Sequence, residues 1–316
     1  REQIITNDLT VSINNREGVE ETMSRDSSDA LEDLRYRREK AIMGGGIKRQ
    51  ESIRVSGRGT ARDRIRNLLD EDSFVEIDTF LTHRTSDHGM FMHETLGDGV
   101  VCGHGTVDGR RIYCFAQDFS VHGGSMGEMH AKKISKVVEM AERTKVPIVG
   151  IWDGGGQRAQ DGVASLGGTG ELLDRLVQCS GRIPMISLVL GPVVGVSALG
   201  ASLADFTILG NDHGQLFMSS PLETPECING EVDAAGLGGA TLHASRSGIA
   251  CLIADDEEEA CALAADILGF LPDNNASSPP VELTADEPTR LNTELTSLVP
   301  DNPNRPYDMV KVIEEI

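Results

Sequence analysis

The sequence predicts an α/β fold in which strands and helices alternate along one large domain. Three observations support this prediction. Asp108-Gly109 joins two apolar segments with the dipeptide typical of a β-hairpin turn. The segments 146–152 and 184–191 have the composition of buried strands, and glycines mark the end of each. In 127–143 the apolar residues recur at helical spacing on one face. Such alternation indicates an α/β fold rather than an all-α or all-β one.

The N-terminal region is predicted to be a tail followed by a helix. Residues 1–27 are polar and lack periodicity, so we expect a loose tail. Residues 28–43 predict a charged helix that Asp29 caps. Three consecutive glycines, Gly44 to Gly46, end this helix.

The remaining elements follow in a regular order. The pattern predicts these segments: strand 74–78, the hairpin strands 99–107 and 111–117, helix 168–180, helix 195–204, strand 206–209 and helix 257–271. From Pro272 onward, the Asn, Ser, Pro and Asp content is typical of a linker. We therefore divide the chain into an N-terminal tail and charged helix at 1–47, the α/β domain at 48–275 and a C-terminal linker at 276–316.

Composition excludes several classes of function. The chain has 316 residues and a formal net charge of −21, which argues against nucleic acid as a partner. No apolar run is long enough for a transmembrane helix, and the first 43 residues lack the apolar core of a signal peptide. We expect no membrane partner and a cytoplasmic location. The cysteines contain no C-x-x-C pair, so we predict small buried thiols and no metal site: Cys102, Cys114, Cys179, Cys227, Cys251 and Cys261.

Charge is distributed unevenly along the chain. Residues 35–66 contain eleven basic and three acidic residues, a local net charge of +8. One interpretation is a solvated helix face, and the other is a landing surface for an anionic ligand. The residues alone leave both open.

Two strand-to-helix turns carry the strongest functional signal. They occupy 151–162 and 190–206, and in each an apolar strand breaks at glycines before a helix begins. Backbone N–H groups at a helix start are unpaired, and two such turns side by side form an oxyanion hole for one oxygen. The alternative is that these glycines only permit close packing. A third glycine turn, at 123–127, has the same two interpretations.

Other catalytic patterns are absent from the sequence. Neither turn has a nucleotide-binding glycine pattern, and Leu199 occupies the place of the second glycine in G-x-S-x-G. The eight histidines form no H-E-x-x-H motif and no cluster with metal-ligand spacing. This absence favours a reaction driven by positioning and backbone donors.

Several blocks, taken in order, resemble one family. They are the segments 57–78, 97–110, 117–134, 153–166, 191–206, 237–250, 268–275 and 298–313. Together they resemble the carboxyltransferase β subunits of biotin-dependent acyl-CoA carboxylases, of the propionyl-CoA carboxylase and transcarboxylase type. The resemblance covers about 48–316.

The resemblance implies a crotonase-like spiral of β-β-α turns that binds an acyl-CoA. It implies that backbone N–H groups hold the thioester oxygen as the enolate forms, near Gly156 and Gln157 in one turn and Gly195 and Val196 in the other. CoA contacts are then expected from Arg58, Arg62, Arg64, Gly155 and Arg158. Biotin is expected on a partner protein, with a second carboxyltransferase subunit and assembly into a homo- or hetero-oligomer.

The chain departs from the family pattern in its turns. Gln157 stands where the family usually has Ala, and Val196 where it has a second Gly. If Val196 needed a positive φ, its β-branch would make that conformation costly. A Val side chain also narrows the site.

A second, homologous domain usually follows the segment that matches 306–308. Three explanations remain open for the absence of this domain from the sequence. A partner polypeptide supplies that half, the chain is one piece of a longer protein, or biotin chemistry has been lost. Three functions follow: the acyl-CoA half of a biotin-dependent carboxyltransferase, a biotin-independent decarboxylase of a malonyl-type thioester, or a non-catalytic scaffold subunit.

Overall fold

The computed structural model describes residues 27–222, 224, 233–281, 283–285, 287 and 289–316. The tail predicted for 1–27 lies outside the described residues except at Ser27, and Cys227 lies outside them as well. The chain forms two compact units, which meet in sequence between Pro279 and Pro280. The boundaries that we expect after residues 47 and 275 stay predictions.

Among the described residues, three helices come before the first strand of the sheet. They are α1 (Ser27–Met43), α2 (Ile47–Val55) and α3 (Ala61–Leu68). Helix α1 confirms the predicted charged helix and its end before Gly44. Asp29 is not its cap, because the helix begins at Ser27 and Asp29 lies inside the first turn. At the start of α3, a capping box joins Thr60 and Asp63.

One mixed sheet forms the centre of the first unit. Its strands are β1 (Val75–Ile77), β2 (Val100–Val107), β3 (Arg110–Gln117), β4 (Ile148–Gly154), β5 (Met185–Val194), β6 (Phe206–Gly210), β7 (Gln215–Phe217) and β8 (Leu252–Ala254). Their order is β1-β2-β3-β4-β5-β6-β8, and β7 pairs with the end of β5. The β1–β3 segment is antiparallel, whereas β3 to β8 pair in parallel. The predicted hairpin at Asp108-Gly109 is confirmed as the β2–β3 connection.

Helices cover both faces of the sheet. Those after the hairpin are α4 (Glu128–Thr144), α5 (Val163–Cys179), α6 (Val196–Ser202), α7 (Ala234–Gly238), α8 (Ala240–Leu242) and α9 (Glu257–Phe270). On one face, Ile134 of α4 and Leu172 of α5 pack around Trp152. On the other, Ile65 of α3 and Leu268 of α9 pack over the strands. The parallel strands are therefore buried on both faces, which explains their nearly continuous apolar sequences.

Two boundaries differ from the sequence prediction in ways that affect the site. Strand β5 extends to Val194, beyond the predicted end at Gly191. It continues because Pro192, Val193 and Val194 pair with β7. Helix α5 begins at Val163 rather than 168, directly after the first glycine turn.

The second unit was predicted to be only a linker, and this is wrong in part. It contains two short helices, α10 (Leu295–Leu298) and α11 (Met309–Glu315). The carboxylate of Asp308 caps α11 by accepting a 3.0 Å hydrogen bond from the Val310 N–H. None of the described helices is long and apolar enough to cross a bilayer.

Candidate active site

The two glycine turns lie side by side at the carboxyl edge of the parallel strands. Gly154 at the end of β4 is in register with Val193 near the end of β5. Two residues after Gly154, a Cβ built on Gly156 would lie 3.1 Å from the Val194 carbonyl oxygen. Because ligands of open parallel sheets bind beyond the carboxyl ends of the strands, this edge is the candidate site.

The first turn presents two unpaired backbone donors. The Gly155 N–H donates to the Gly123 carbonyl oxygen at 3.0 Å and is therefore occupied. Met126 and Arg158 fix the turn further, since the Met126 N–H donates to the Gly156 oxygen and the Arg158 N–H to the Met126 oxygen. No described residue accepts a hydrogen bond from the N–H groups of Gly156 or Gln157. The glycine turn at 123–127 thus supports the first turn.

The second turn presents one donor of the two that were expected. The Gly195 N–H donates to the Phe217 carbonyl oxygen at 2.7 Å, so it is not available to a ligand. Val196 is the first residue of α6, and within the described chain its N–H has no acceptor. The structure therefore replaces the predicted Gly195–Val196 pair by Val196 alone.

The positive backbone angle of the second turn falls on glycine. Gly195 has φ 63° and ψ −126°, a conformation that only glycine adopts readily, whereas Val196 is helical. Val196 therefore avoids the conformational strain that a β-branched residue would have at a positive φ. Val196 keeps the donor and adds a half-buried side chain beside it.

The side chain of Gln157 turns towards α5. Its Nε2 donates to Thr169 Oγ1 at 2.8 Å, and its Oε1 accepts from Ser165 Oγ. The amide thereby fastens the first turn to α5 while the Gln157 N–H stays unpaired. The side chain of Gln157 is therefore engaged in structural hydrogen bonds.

Two of the arginines expected at CoA are buried in ion pairs. Arg64 is 1% exposed, and its guanidinium contacts the carboxylates of Asp153 (2.7 Å) and Glu257 (2.6 Å). Burial alone would lower the pKa of Arg64, but these two carboxylates outweigh it and raise that pKa. Arg158 is also 1% exposed and pairs with the buried carboxylate of Asp98. Neither guanidinium lies where a phosphate can reach it, because each neutralises a buried carboxylate.

The other two arginines are partly exposed and also paired. Arg62 donates from both terminal nitrogens to the Glu76 carboxylate, at 2.9 and 3.0 Å. Arg58 donates to Asp153, and its guanidinium lies 4.5 Å from the centre of the Phe119 ring. The expected cationic surface at Arg58, Arg62 and Arg64 is therefore largely an internal network.

A cleft of about 620 Å³ is lined in part by Val121 and His122, which directly precede the glycine turn at 123–127. Lys48 and Arg49 line it together with His93, Glu94 and His122. Within the described chain, neither Lys48 nor Arg49 forms an ion pair. Burial, and then the positive charge of Arg158, lowers the pKa of His122, so this imidazole is neutral at pH 7. Two cations of the basic stretch are therefore available to an anion in this cleft.

A network of buried polar side chains supports the first turn. Gln117 Oε1 accepts from the Asp153 N–H at 3.0 Å, and Gln117 Nε2 lies 3.3 Å from His130 Nε2. His130 Nδ1 lies 3.0 Å from the Asp98 carbonyl oxygen. Burial, and then the charge of Arg158, lowers the pKa of His130 well below its ordinary value. Sequence reasoning missed this network because its members are far apart in the chain.

No group of three or more His, Cys, Asp or Glu side chains suited to a metal occurs within the described ranges. Cys251 is exposed, which differs from the expectation for the cysteines, whereas Cys102, Cys114, Cys179 and Cys261 are buried. Burial raises the pKa of the Cys102 thiol to about 12. These buried thiols are inert core residues.

Comparison with known proteins identifies the family of the chain. A family model described as a carboxyl transferase domain matches residues 53–316. The propionyl-CoA carboxylase beta chain of Roseobacter denitrificans is 43% identical over 288 residues, which are 91% of this chain and 56% of that protein. Methylmalonyl-CoA decarboxylase subunit alpha of Veillonella parvula is 44% identical over 285 residues, 90% of this chain and 56% of that protein.

A solved structure shows the same fold. Transcarboxylase 12S, crystallised with methylmalonyl-coenzyme A and methylmalonic acid bound, matches with a TM-score of 0.83 at 36% identity. The match covers 90% of this chain and 55% of that chain. The chain thus spans about half the length of these relatives. Its fold is the crotonase-like α/β fold, as expected, and the chain belongs to the carboxyl transferase family.

Proposed function

We propose that this chain is the acyl-CoA-binding half of a biotin-dependent carboxyltransferase. It would take part in moving a carboxyl group between carboxybiotin and the α-carbon of a short acyl-CoA. The observation that carries the proposal is the juxtaposition of unpaired N–H groups at Gly156, Gln157 and Val196 on two adjoining turns. The names of the relatives, which are subunits of acyl-CoA carboxylases and decarboxylases, support it.

The chemistry follows from where charge develops. When the α-carbon of a thioester loses a proton or a carboxyl group, negative charge moves to the carbonyl oxygen. Donors that are fixed before the reaction stabilise that oxygen without reorganising, and loss of one such donor costs about 10²–10³ in rate. The N–H groups of Gly156 or Gln157 on one side and Val196 on the other meet this need.

The polar side chains around the two turns bind one another and thereby orient the turns. Of the two carboxylates in the first turn, Asp153 accepts from Arg58 and Arg64, and Asp161 accepts from the Glu128 N–H at 2.9 Å. Gln157 is held by Ser165 and Thr169. Biotin, carried by a partner protein, would supply the carboxyl group and accept the α-proton.

We place the CoA phosphates at Lys48 and Arg49 rather than at Arg64 or Arg158. Both residues line the open cleft, and Val121 and His122 on its wall directly precede Gly123. Gly123 in turn contacts Gly155 of the first turn. A ligand with its phosphates in the cleft and its thioester at the hole would span this wall. Phosphate charge would then meet unpaired cations in partly solvated surroundings.

The partners and the location are part of the same proposal. The relatives are named as subunits of larger enzymes, and the solved transcarboxylase is described as a hexamer assembly. We propose a second carboxyltransferase subunit and a biotin carrier as partners, a homo- or hetero-oligomeric complex, and a cytoplasmic location.

The test is reconstitution. The chain, mixed with a second carboxyltransferase subunit, should carboxylate propionyl-CoA when carboxybiotin is supplied as the carboxyl donor, and should transfer the carboxyl group of methylmalonyl-CoA to free biotin in the reverse direction. Inactivity in both directions, with acyl-CoA binding shown by calorimetry, would leave the first function without support. Absence of heat with any CoA thioester would favour the scaffold instead.

A decarboxylase without biotin is the second candidate, because a relative is named as a methylmalonyl-CoA decarboxylase subunit. Decarboxylation also needs only an enolate hole. Release of CO₂ from malonyl-CoA or methylmalonyl-CoA by the chain alone, with neither biotin nor partner, would select this function over the first.

The position of the phosphates is tested separately. Lys48→Ala with Arg49→Ala should weaken acyl-CoA binding and lower its salt dependence, because counterion release falls when phosphate contacts are lost. Arg38→Ala, an exposed cation of α1 in the same basic stretch, is the matched control and should leave both unchanged. Equal losses of acyl-CoA affinity in the double variant and in Arg38→Ala would show that the CoA phosphates bind elsewhere.

A further inference from the structure

A buried ion cluster lies directly behind the two glycine turns. Asp153 Oδ2 accepts from Arg64 Nη1 at 2.7 Å and also from Arg58 Nη2. Asp153 is 0% exposed. One carboxylate at the start of the first turn therefore holds two guanidinium groups from the α2–α3 region.

The same carboxylate touches β5, the strand that leads into the second turn. A Cβ built on Gly191 would lie 2.1 Å from Asp153 Oδ1, so this oxygen packs directly on the Gly191 backbone. The neighbouring Leu190 carbonyl oxygen accepts from Arg64 Nη2 at 2.8 Å. Asp153 is thus joined to the first turn by its own backbone and to the strand that leads into the second turn by contact with Gly191.

The cations of the cluster are themselves fixed from outside. Arg64 Nε donates to Glu257 Oε2 at 3.0 Å, and Glu257 belongs to α9. The same oxygen accepts from the Gly59 N–H at 2.9 Å, and the Phe119 ring covers Arg58. Few alternative positions remain for the carboxylate between them.

The cluster is not optimised for stability. Asp153 Oδ1 and Arg58 Nε are buried and have no hydrogen-bond partner in the described part of the chain. Unpaired buried polar atoms cost free energy, and a buried ion pair is weak evidence for stability. Its position between the two turns gives it another role.

We propose that Asp153 is a positioning residue that sets the separation of the two turns. Held by Arg58 and Arg64 and packed against Gly191, it keeps the donors of Gly156 or Gln157 and of Val196 aimed at one thioester oxygen. This inference rests on the proposed function. It adds that the precision of the hole is imposed by a charged cluster that touches no substrate.

The experiment uses the full chain and two ligands. Propionyl-CoA offers a carbonyl oxygen to the hole, whereas the thioether S-propyl-CoA lacks that oxygen and has the same CoA moiety. For the unaltered protein we expect tighter binding of the thioester by calorimetry. With 1-¹³C-propionyl-CoA we also expect a downfield carbonyl shift on binding, because the donors polarise the bond.

Asp153→Asn should weaken propionyl-CoA binding about tenfold, as expected for misplaced hydrogen bonds, and should leave thioether binding unchanged. The bound carbonyl resonance should move back towards its free position. Glu76→Gln is the matched control, because it breaks the Arg62 ion pair of similar geometry away from both turns. This substitution should not change the affinity for propionyl-CoA relative to the affinity for S-propyl-CoA.

The outcomes separate the two proposals. Equal weakening of both ligands, or no weakening, in a folded Asp153→Asn protein overturns the positioning role. Arg58→Gln, which removes one partner at the edge of the cluster, repeats the test if the first variant does not fold. Failure of the unaltered protein to prefer the thioester would instead refute the oxyanion hole, and with it both proposals.

Discussion

Gly156 packs directly against the carbonyl oxygen of Val194. A Cβ at this glycine would lie 3.1 Å from that oxygen, closer than nearly all real Cβ contacts. Gly156 also has φ 86°, in the region that side chains disfavour. The two turns therefore meet backbone to backbone at the point where the unpaired N–H groups are presented.

Replacing this glycine tests the contact. We expect Gly156→Ala to lower the free energy of unfolding by about 1–3 kcal/mol because of the backbone angle and the Val194 contact. Carboxyl transfer in the reconstituted enzyme should fall about 10²-fold, since the donor of the first turn is displaced. Urea unfolding and steady-state turnover measure the two effects.

The control for this prediction is Gly167→Ala in α5. No atom lies within 4 Å of a Cβ at Gly167, and its backbone is helical. The substitution should stabilise the protein by about 0.5–1 kcal/mol. A similar loss of activity in both variants would contradict the idea that Gly156 acts through its contact with Val194.

Val196 is expected to limit the size of the acyl group. Its N–H is the donor of the second turn, and its side chain stands half-buried beside it. Val196→Ala keeps the donor and the helix but removes two methyl groups. Affinity for longer or branched acyl-CoA thioesters should rise relative to acetyl-CoA, as measured by calorimetry. Val177→Ala, an exposed residue of α5, should leave the ratio of affinities unchanged.

His130 should make the stability depend on pH. Burial lowers its pKa in the folded state well below the ordinary value of about 6.5 that applies to the unfolded chain. Below pH 6.5 the unfolded state therefore binds a proton that the folded state excludes, and the free energy of unfolding falls as pH decreases. The limiting slope for one such group is about 1.4 kcal/mol per pH unit.

Urea unfolding between pH 5 and 7.5 measures this slope. His130→Gln removes the titrating group and should flatten the curve, whatever its effect on stability at pH 7. The charges near His130 are those of Arg158 and Lys133, which both oppose its protonation. His88→Gln, at an exposed position, should retain the slope of the unaltered protein. If the slope persists in the His130→Gln variant, another titrating group causes the pH dependence of stability.

The sequence predicted the order of the elements and the two glycine turns, because both depend on residues that are close together in the chain. Periodicity, hairpin chemistry and glycine spacing need only neighbouring residues. The end of β5 was misplaced because Pro192 and Val194 gain a partner strand, β7, more than twenty residues later. The same distant pairing brings Phe217 to the Gly195 N–H and removes one expected donor.

The arginines show the same limit at the site. A basic stretch in a sequence indicates charge but not its partners. Arg64 meets Asp153 from 89 positions away, and Arg158 meets Asp98 from 60. Only the folded chain distinguishes these paired cations from Lys48 and Arg49, which remain open in the cleft.

Trp152 couples the core to the second turn. It is the single tryptophan, and its Nε1 donates to Ser187 Oγ at 3.0 Å. Its ring packs edge-on to Phe115, with centroids 5.0 Å apart. A Cβ on Gly200 of α6 would lie 3.0 Å from the same ring. The indole thus fills the space between β4, β5 and the helix that begins at Val196.

Removing the indole separates packing from hydrogen bonding. Trp152→Phe should cost about 2–4 kcal/mol from lost volume and from the unpaired Ser187 hydroxyl. Ser187→Ala should cost about 1 kcal/mol, because it leaves the indole N–H unpaired. The double variant should be less destabilised than the sum of the two single changes, since both break one hydrogen bond. Urea unfolding monitored by circular dichroism gives the cycle, and strict additivity would show that this bond contributes nothing to the placement of Trp152.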